Sequence, residues 1–255
     1  MPSFDSNGVA IHYEERGSGA PVALVHGFAS NLKQNWELTG WLDFLAVNYR
    51  VIAMDCRGHG LSAKPHEAEA YGSANMTGDV VRLLDHLKVP RALLMGYSMG
   101  AWISLGVILS YPGRIRAAVL GGIGGGTGGA SPMADPRRRA VIVKALLAER
   151  AEDVAEPIAR QFRQFAEANR NDLKALAACM SGDRPALDPA SLSTIRMPVM
   201  IVVGTKDELV GSAEPLAGAI AGAELVRLEG RDHLNAPGDK LYKEAVAGFF
   251  AATPA

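Results

Sequence analysis

Six short apolar runs set the frame of this chain: "PVALVHG", "YRVIAMD", "RALLMGYS", "IRAAVLGGI", "PVMIVVGTKD" and "AELVRLEG". Each is continuously apolar instead of alternating, as strands covered on both faces must be. Longer stretches of helical spacing separate them. In "NMTGDVVRLLDHLK", for example, Val80, Leu83, Leu84 and Leu87 recur on one helical face. Strand and helix in alternation predict an α/β architecture: a mostly parallel twisted sheet with helices on both faces. The start departs from that pattern. "SFDSNGVAIHYEERG" sets Asn7-Gly8 between two strand-like runs, and both turn positions of such a pair favour positive φ. The sheet is therefore expected to open with an antiparallel hairpin.

From about 135 to 182 the alternation stops and only helical patterns follow, with Ile158, Phe162 and Phe165 at spacings of four and three. Turn-rich segments, "GGIGGGTGGASP" and "SGDRPALDP", flank this part. The expected organisation is a core of residues 1–130 and 190–255 with a helical insertion over 131–189. A chain of 255 residues, 48% hydrophobic, is long enough to bury such a core. Its 26 basic and 27 acidic residues leave no excess charge to attract nucleic acid or anionic membrane. No apolar run approaches the roughly 20 residues of a membrane-spanning helix, which argues against stable membrane insertion. Cys56 and Cys179 are too few for a disulfide framework or a four-cysteine zinc site, and the opening "MPSFDSNGVAIHYEE" lacks the pattern of a signal peptide. A reduced, cytoplasmic protein acting on a small neutral molecule is expected.

The chemistry is concentrated at "GYSMG", Gly96 to Gly100, between a strand and a helix. Small residues on both sides let a very tight turn close and push the Ser98 hydroxyl out at the carboxyl end of the sheet. Unpaired N–H groups at the following helix start suit an oxyanion there. Serine alone is a poor nucleophile, so a base and an orienting acid are required further along. "TKDELV" places Asp207 just beyond a strand, and "RDHLNAPGD" places His233 in the loop past the last strand. Asp232 competes for the acid role, but its adjacency to His233 turns the two side chains apart. One oxyanion donor is the Met99 N–H; a second comes from the "HGFAS" loop, from Phe28 or its neighbour Ala29. His26 precedes the nucleophile and is assigned a loop-shaping role.

"HGF", "GYSMG", "TKDELV" and "GRDHLNAPGD", in this order and over nearly the whole length, resemble the alpha/beta-hydrolase superfamily. "MDCRGHGLSAKP" resembles the segment that follows the fourth strand in that family, where Asp55, Arg57 and His59 shape a turn. The resemblance implies the alpha/beta-hydrolase fold and a serine hydrolase with nucleophile Ser98, base His233, acid Asp207 and oxyanion donors Phe28 and Met99. It implies no cofactor and no metal. Members with a helical cap place the acyl pocket between cap and sheet, so Phe162 and Phe165 would line the site, although such a stripe also serves as ordinary core. Dehalogenases and epoxide hydrolases resembling this chain carry Asp at the elbow; Ser98 favours an acyl-enzyme and carboxylic-ester cleavage. Lactonases, carbon-carbon bond hydrolases and cofactor-free perhydrolases share the triad, and a non-catalytic binding protein is the alternative of another class. Two further motifs are set aside. "GGGTGG" at 124–129 is followed by prolines instead of opening a helix, against a dinucleotide fingerprint, and Arg137 to Arg139 read as a solvated helix start.

Overall fold

The computed structural model describes residues 1–125, 135–184 and 188–253. The strands β1 (Ser3–Ser6), β2 (Val9–Arg16), β3 (Ala20–Val25), β4 (Tyr49–Met54), β5 (Ala92–Tyr97), β6 (Ile115–Gly121), β7 (Val199–Gly204) and β8 (Glu224–Leu228) form one sheet in the order β1-β2-β4-β3-β5-β6-β7-β8. The hairpin forms as expected, with Ser6 opposite Val9 and with Asn7 and Gly8 at φ 54° and 83°. β2 joins β4 antiparallel, and every pairing from β4 to β8 is parallel.

Successive residues of a strand point to opposite faces, and here each face has its own core. On one side Ala23, Val25, Ile52, Met54, Leu94 and Leu120 pack against α2 (Ser73–His86), α3 (Met99–Ser110) and α8 (Glu214–Ala219). On the other, Val22, Leu24, Val51, Leu93 and Val119 meet α1 (Trp41–Ala46) and α9 (Lys240–Ala252), where Trp41 and Tyr242 cross edge to face at 5.0 Å. That double cover explains the unbroken apolar runs. β8 departs from the expectation: it is an edge strand, and only Leu228 of its five residues is buried. With one neighbour and one open edge it needs no continuous apolar run.

Between β6 and β7 lie α4 (Pro136–Leu147), α5 (Pro157–Ala168) and α6 (Leu173–Ser181), followed by the short α7 (Pro189–Leu192). Asp135, Glu156 and Asp188 each cap a helix whose first residue is proline, so the starts are fixed by an acidic acceptor and a preset φ. The helices share an apolar cluster including Ile142, Leu146, Ala159, Leu176 and Met180, into which Ala29 of the core inserts. Arg163 is buried and donates to the carbonyls of Ala145, Leu146 and Ala148, closing the end of α4. Of the arginine run, Arg137 is exposed, whereas Arg139 is half-buried and donates to Gly182 O, so the third arginine does more than face solvent. Residues 126–129 of "GGGTGG", and most of the chain around the expected 130/131 boundary, lie outside the described residues.

A buried charge network ties the hairpin to the first core. Arg57 grips Asp79 of α2 through two bonds of 2.7 and 2.6 Å, while Ser6 of β1 donates to the same carboxylate and Arg82 donates to both. Removing one partner leaves a buried charge uncompensated. Asp79→Ala is expected to lower unfolding free energy by about 3–5 kcal/mol, read from urea denaturation. A loss under about 1 kcal/mol would show that water reaches this site.

Candidate active site

At the end of β5 the chain turns through Ser98 at φ 54° and ψ −114°, a conformation that non-glycine residues hold only when the surroundings enforce it. The surroundings are backbone. A Cβ on Gly96 would overlap Gly100 O, and one on Gly100 would overlap Val25 O, closer than any van der Waals contact permits. The elbow is thereby pressed against the end of β3, and Ser98 N–H is held by Gly121 O of β6 at 2.8 Å.

The three residues expected to act together meet. His233 Nδ1 lies 2.7 Å from Asp207 Oδ2, and His233 Nε2 lies 2.9 Å from Ser98 Oγ. A carboxylate only accepts, so Nδ1–H donates to Asp207, and in the neutral imidazole the Ser98 hydroxyl donates to Nε2. Asp207 also accepts from Leu209 N–H at 3.1 Å, and its side chain is fully buried. The loops after β7 and β8 are stitched together by Thr205 N–H to Leu228 O and Lys206 N–H to Arg231 O, which brings Asp207 and His233 side by side. Asp232 faces away, accepting from Leu234 N–H and Asn235 N–H, each at 2.9 Å.

Tyr97 supports His233 from behind. Its hydroxyl donates to His233 O at 2.7 Å and its ring lies 5.3 Å from the imidazole. Burial, with the Asp207 carboxylate adding to it, pushes the phenol well up, so it remains a donor. Its place between the elbow glycine and serine carries no pattern that would announce this.

Met99 opens α3, where the first N–H groups have no intrahelical acceptor. The Phe28 N–H has no backbone acceptor among the described residues. A Cβ built on Gly27 would touch Ser98 Cβ at 3.4 Å, so the 26–30 loop runs directly beside the turn at Ser98. Two groups hold that loop from the core: Asn35 Oδ1 accepts Gly27 N–H at 2.9 Å, and His26 Nδ1 lies 2.8 Å from Gly27 O. His26 Nε2 accepts the Cys56 N–H at 2.9 Å, so the proton sits on Nδ1 and is donated to Gly27 O. A trans peptide points its C=O and N–H in opposite directions; holding Gly27 O therefore fixes where Phe28 N–H points. Asp55 accepts from Leu32 N–H and Leu61 N–H, and with Arg57 it ties loops together instead of facing Ser98. Of the two phenylalanines, Phe162 meets Phe28 edge to face at 6.1 Å, while Phe165 packs in the helical insertion's own cluster.

Residues 20–171 match the family model for the alpha/beta hydrolase fold. An epoxide hydrolase of Caballeronia sordidicola is 36% identical over 113 residues, 44% of this chain; the match spans only 33% of that protein. Among solved structures, a hydrolase from Pseudomonas aeruginosa superposes with a TM-score of 0.82 at 28% identity, covering 98% of both chains. An esterase from a Rhodococcus species gives 0.75 at 27% identity, covering 99% of this chain and 98% of its own. The chain belongs to the alpha/beta hydrolase fold family.

His26 and His59 are both fully buried, with rings 5.3 Å apart. Burial lowers both, and for His59, with His26 beside it, the value falls to about 3. Both stay neutral in the fold at a pH where the unfolded chain binds protons. Stability is then present above the unfolded value near 6.5 and is lost as pH falls toward 3. Urea unfolding across this window is expected to lose up to about 1.4 kcal/mol per pH unit for each such histidine. His59→Gln, which keeps a donor for Arg57 O, is expected to flatten the slope; an unchanged slope would assign it to carboxylates.

Proposed function

We propose that this member of the alpha/beta hydrolase fold family is a serine hydrolase that cleaves a small to medium, mostly neutral carboxylic ester through an acyl-enzyme. The observation that carries the reading is the unbroken hydrogen-bond relay from Ser98 Oγ through His233 to the buried Asp207. A structural hydroxyl has no need of a base held by a buried acid. The esterase likeness supports the same reading. The epoxide hydrolase likeness speaks to the shared fold: the elbow here carries Ser98, where an alkyl-ester route would use a carboxylate.

In this mechanism Ser98 Oγ bonds to the acyl carbon while its proton passes to His233 Nε2. Asp207 stabilises the imidazolium so formed, and the electron pair displaced from the carbonyl collects on its oxygen. That oxyanion lies between the Phe28 and Met99 N–H groups, the second reinforced by the helix start. Collapse breaks the bond to the alkoxy group, which leaves as the alcohol with the proton from His233. Water then gives a proton to Nε2 as its oxygen bonds to the acyl carbon; collapse breaks the bond to Ser98 Oγ, which takes the proton back from Nε2, and the carboxylic acid leaves. Tyr97 and the Asp232 turn keep His233 fixed through both halves of the cycle. The carrier of specificity on this reading is the space between the 26–30 loop and the helices after β6, where Phe28 meets Phe162.

Incubation with a fluorophosphonate, peptide mapping and a parallel p-nitrophenyl acetate assay test the reading. Labelling confined to Ser98, with loss of turnover, is expected; no label and no turnover would favour a binding protein. Ser98→Ala and His233→Ala are each expected to lower kcat by on the order of 10⁵–10⁶, and the double variant no further. Asp207→Asn should cost about 10⁴, because the imidazole loses its tautomer and orientation.

A further inference from the structure

We propose that the helical insertion completes the oxyanion hole, with the Asn171 side chain positioning the 26–30 loop by donating to the Ala29 carbonyl; this rests on the reading of Ser98 as nucleophile and Phe28 N–H as donor. Within the loop itself, the core's hydrogen bonds among the described residues converge on Gly27. Asn35, His26 and Ser30 N–H all bond to Gly27. The other end turns through Ala29, a fully buried non-glycine residue at φ 57°, a conformation that relaxes unless something enforces it.

What enforces it comes from across the chain. Asn171 Nδ2 donates to Ala29 O at 2.8 Å and Asn169 Nδ2 donates to the same oxygen at 3.3 Å. Both asparagines follow directly after α5. Asn171 is placed by its own N–H on Ala166 O at 3.0 Å, and Asn169 Oδ1 accepts Gln34 Nε2 at 2.5 Å. The Ala29 side chain sits inside the insertion's apolar cluster, and the Phe28 ring leans on Phe162 of α5. Phe28 is therefore bracketed: its N-terminal peptide is fixed by the core through Gly27, and the residue after it is fixed by the insertion. When the insertion is seated, the Phe28 N–H is held in its place beside Ser98. When it lifts, Ala29 loses both donors and the loop relaxes from its strained φ, carrying the Phe28 N–H out of register. Asn171 is thus a positioning residue that makes acyl transfer conditional on a seated insertion.

An insertion that only shapes a pocket would affect KM; one that holds an oxyanion donor affects kcat. The test is steady-state turnover of p-nitrophenyl acetate, with fluorophosphonate labelling rates, by wild type, Asn171→Ala, Asn171→Asp and Asn169→Ala. For Asn171→Ala, kcat and the labelling rate are each expected to fall about tenfold, short of the loss on deleting a whole donor, with KM changed by less than about twofold. Asn171→Asp, which sets a carboxylate against Ala29 O, is expected to fall at least as far, and Asn169→Ala less. Unchanged kcat in Asn171→Ala, or a loss confined to KM, overturns the coupling. Should Asn171→Ala fail to fold, Asn169→Ala carries the same decision: a fall in kcat without a change in KM supports the coupling, and no fall overturns it. Absence of labelling and turnover in the wild type would instead overturn the serine-hydrolase reading itself, so the two failures are distinguishable.

Discussion

The contact between the backbone of Gly100 and the carbonyls of Val25 and His26 governs what surrounds it. Two adjacent parallel strands, β3 and β5, end side by side, and the helix that follows β5 is pressed onto the loop that follows β3. Such an approach is open only to glycine, and it forces the residue between Gly96 and Gly100 into a strained turn. From that one packing event come the projection of Ser98, the helix start carrying the Met99 N–H, and the nearness of the Phe28 N–H. Strain at Ser98 is held by the sheet on one side through Gly121 and by the loop on the other.

His233 and Asp207 are brought to this point by a different device. Their loops follow neighbouring strands and are stitched by backbone bonds, while side chains from distant elements hold them from behind. Tyr97 grips His233 O, and Trp41 of α1 donates to Pro237 O at 2.7 Å. His233 is consequently held from β5 by two adjacent residues, Tyr97 through its carbonyl and Ser98 through its Nε2.

Much of this was legible in the residues because it depends on local rules. Apolar runs mark doubly covered strands, Asn7-Gly8 marks a hairpin, and Ser98, Asp207 and His233 each stand after a strand. β8 escaped the rule because an edge strand need not be apolar throughout. Tyr97 and Asn171 escaped because what matters in them is a hydrogen bond to a backbone atom far along the chain, and Asn35 because its partner is a loop N–H eight residues back; no spacing encodes such partners. Asp79 differs in that its donors are side chains: Arg82 stands three residues on along the same helix, while Ser6 of β1 and Arg57 after β4 come from elements that no spacing ties to it. The insertion's helices were visible as a pattern, but their grip on Ala29 was not, since it passes through two asparagines that read as an ordinary helix end.

The two borders of the sheet have a bearing on how copies of this chain behave at high concentration. An open strand edge offers unpaired N–H and C=O groups to any extended segment, including the same strand of another molecule. At one border stands β1, four residues long; at the other stands β8, five residues long, whose Arg227 is engaged with Glu214 beside it. Short length at both ends, and the Arg227–Glu214 pair at one of them, deny a second copy a long, flat ledge to extend. Growth of the sheet into a ribbon is therefore disfavoured from either direction.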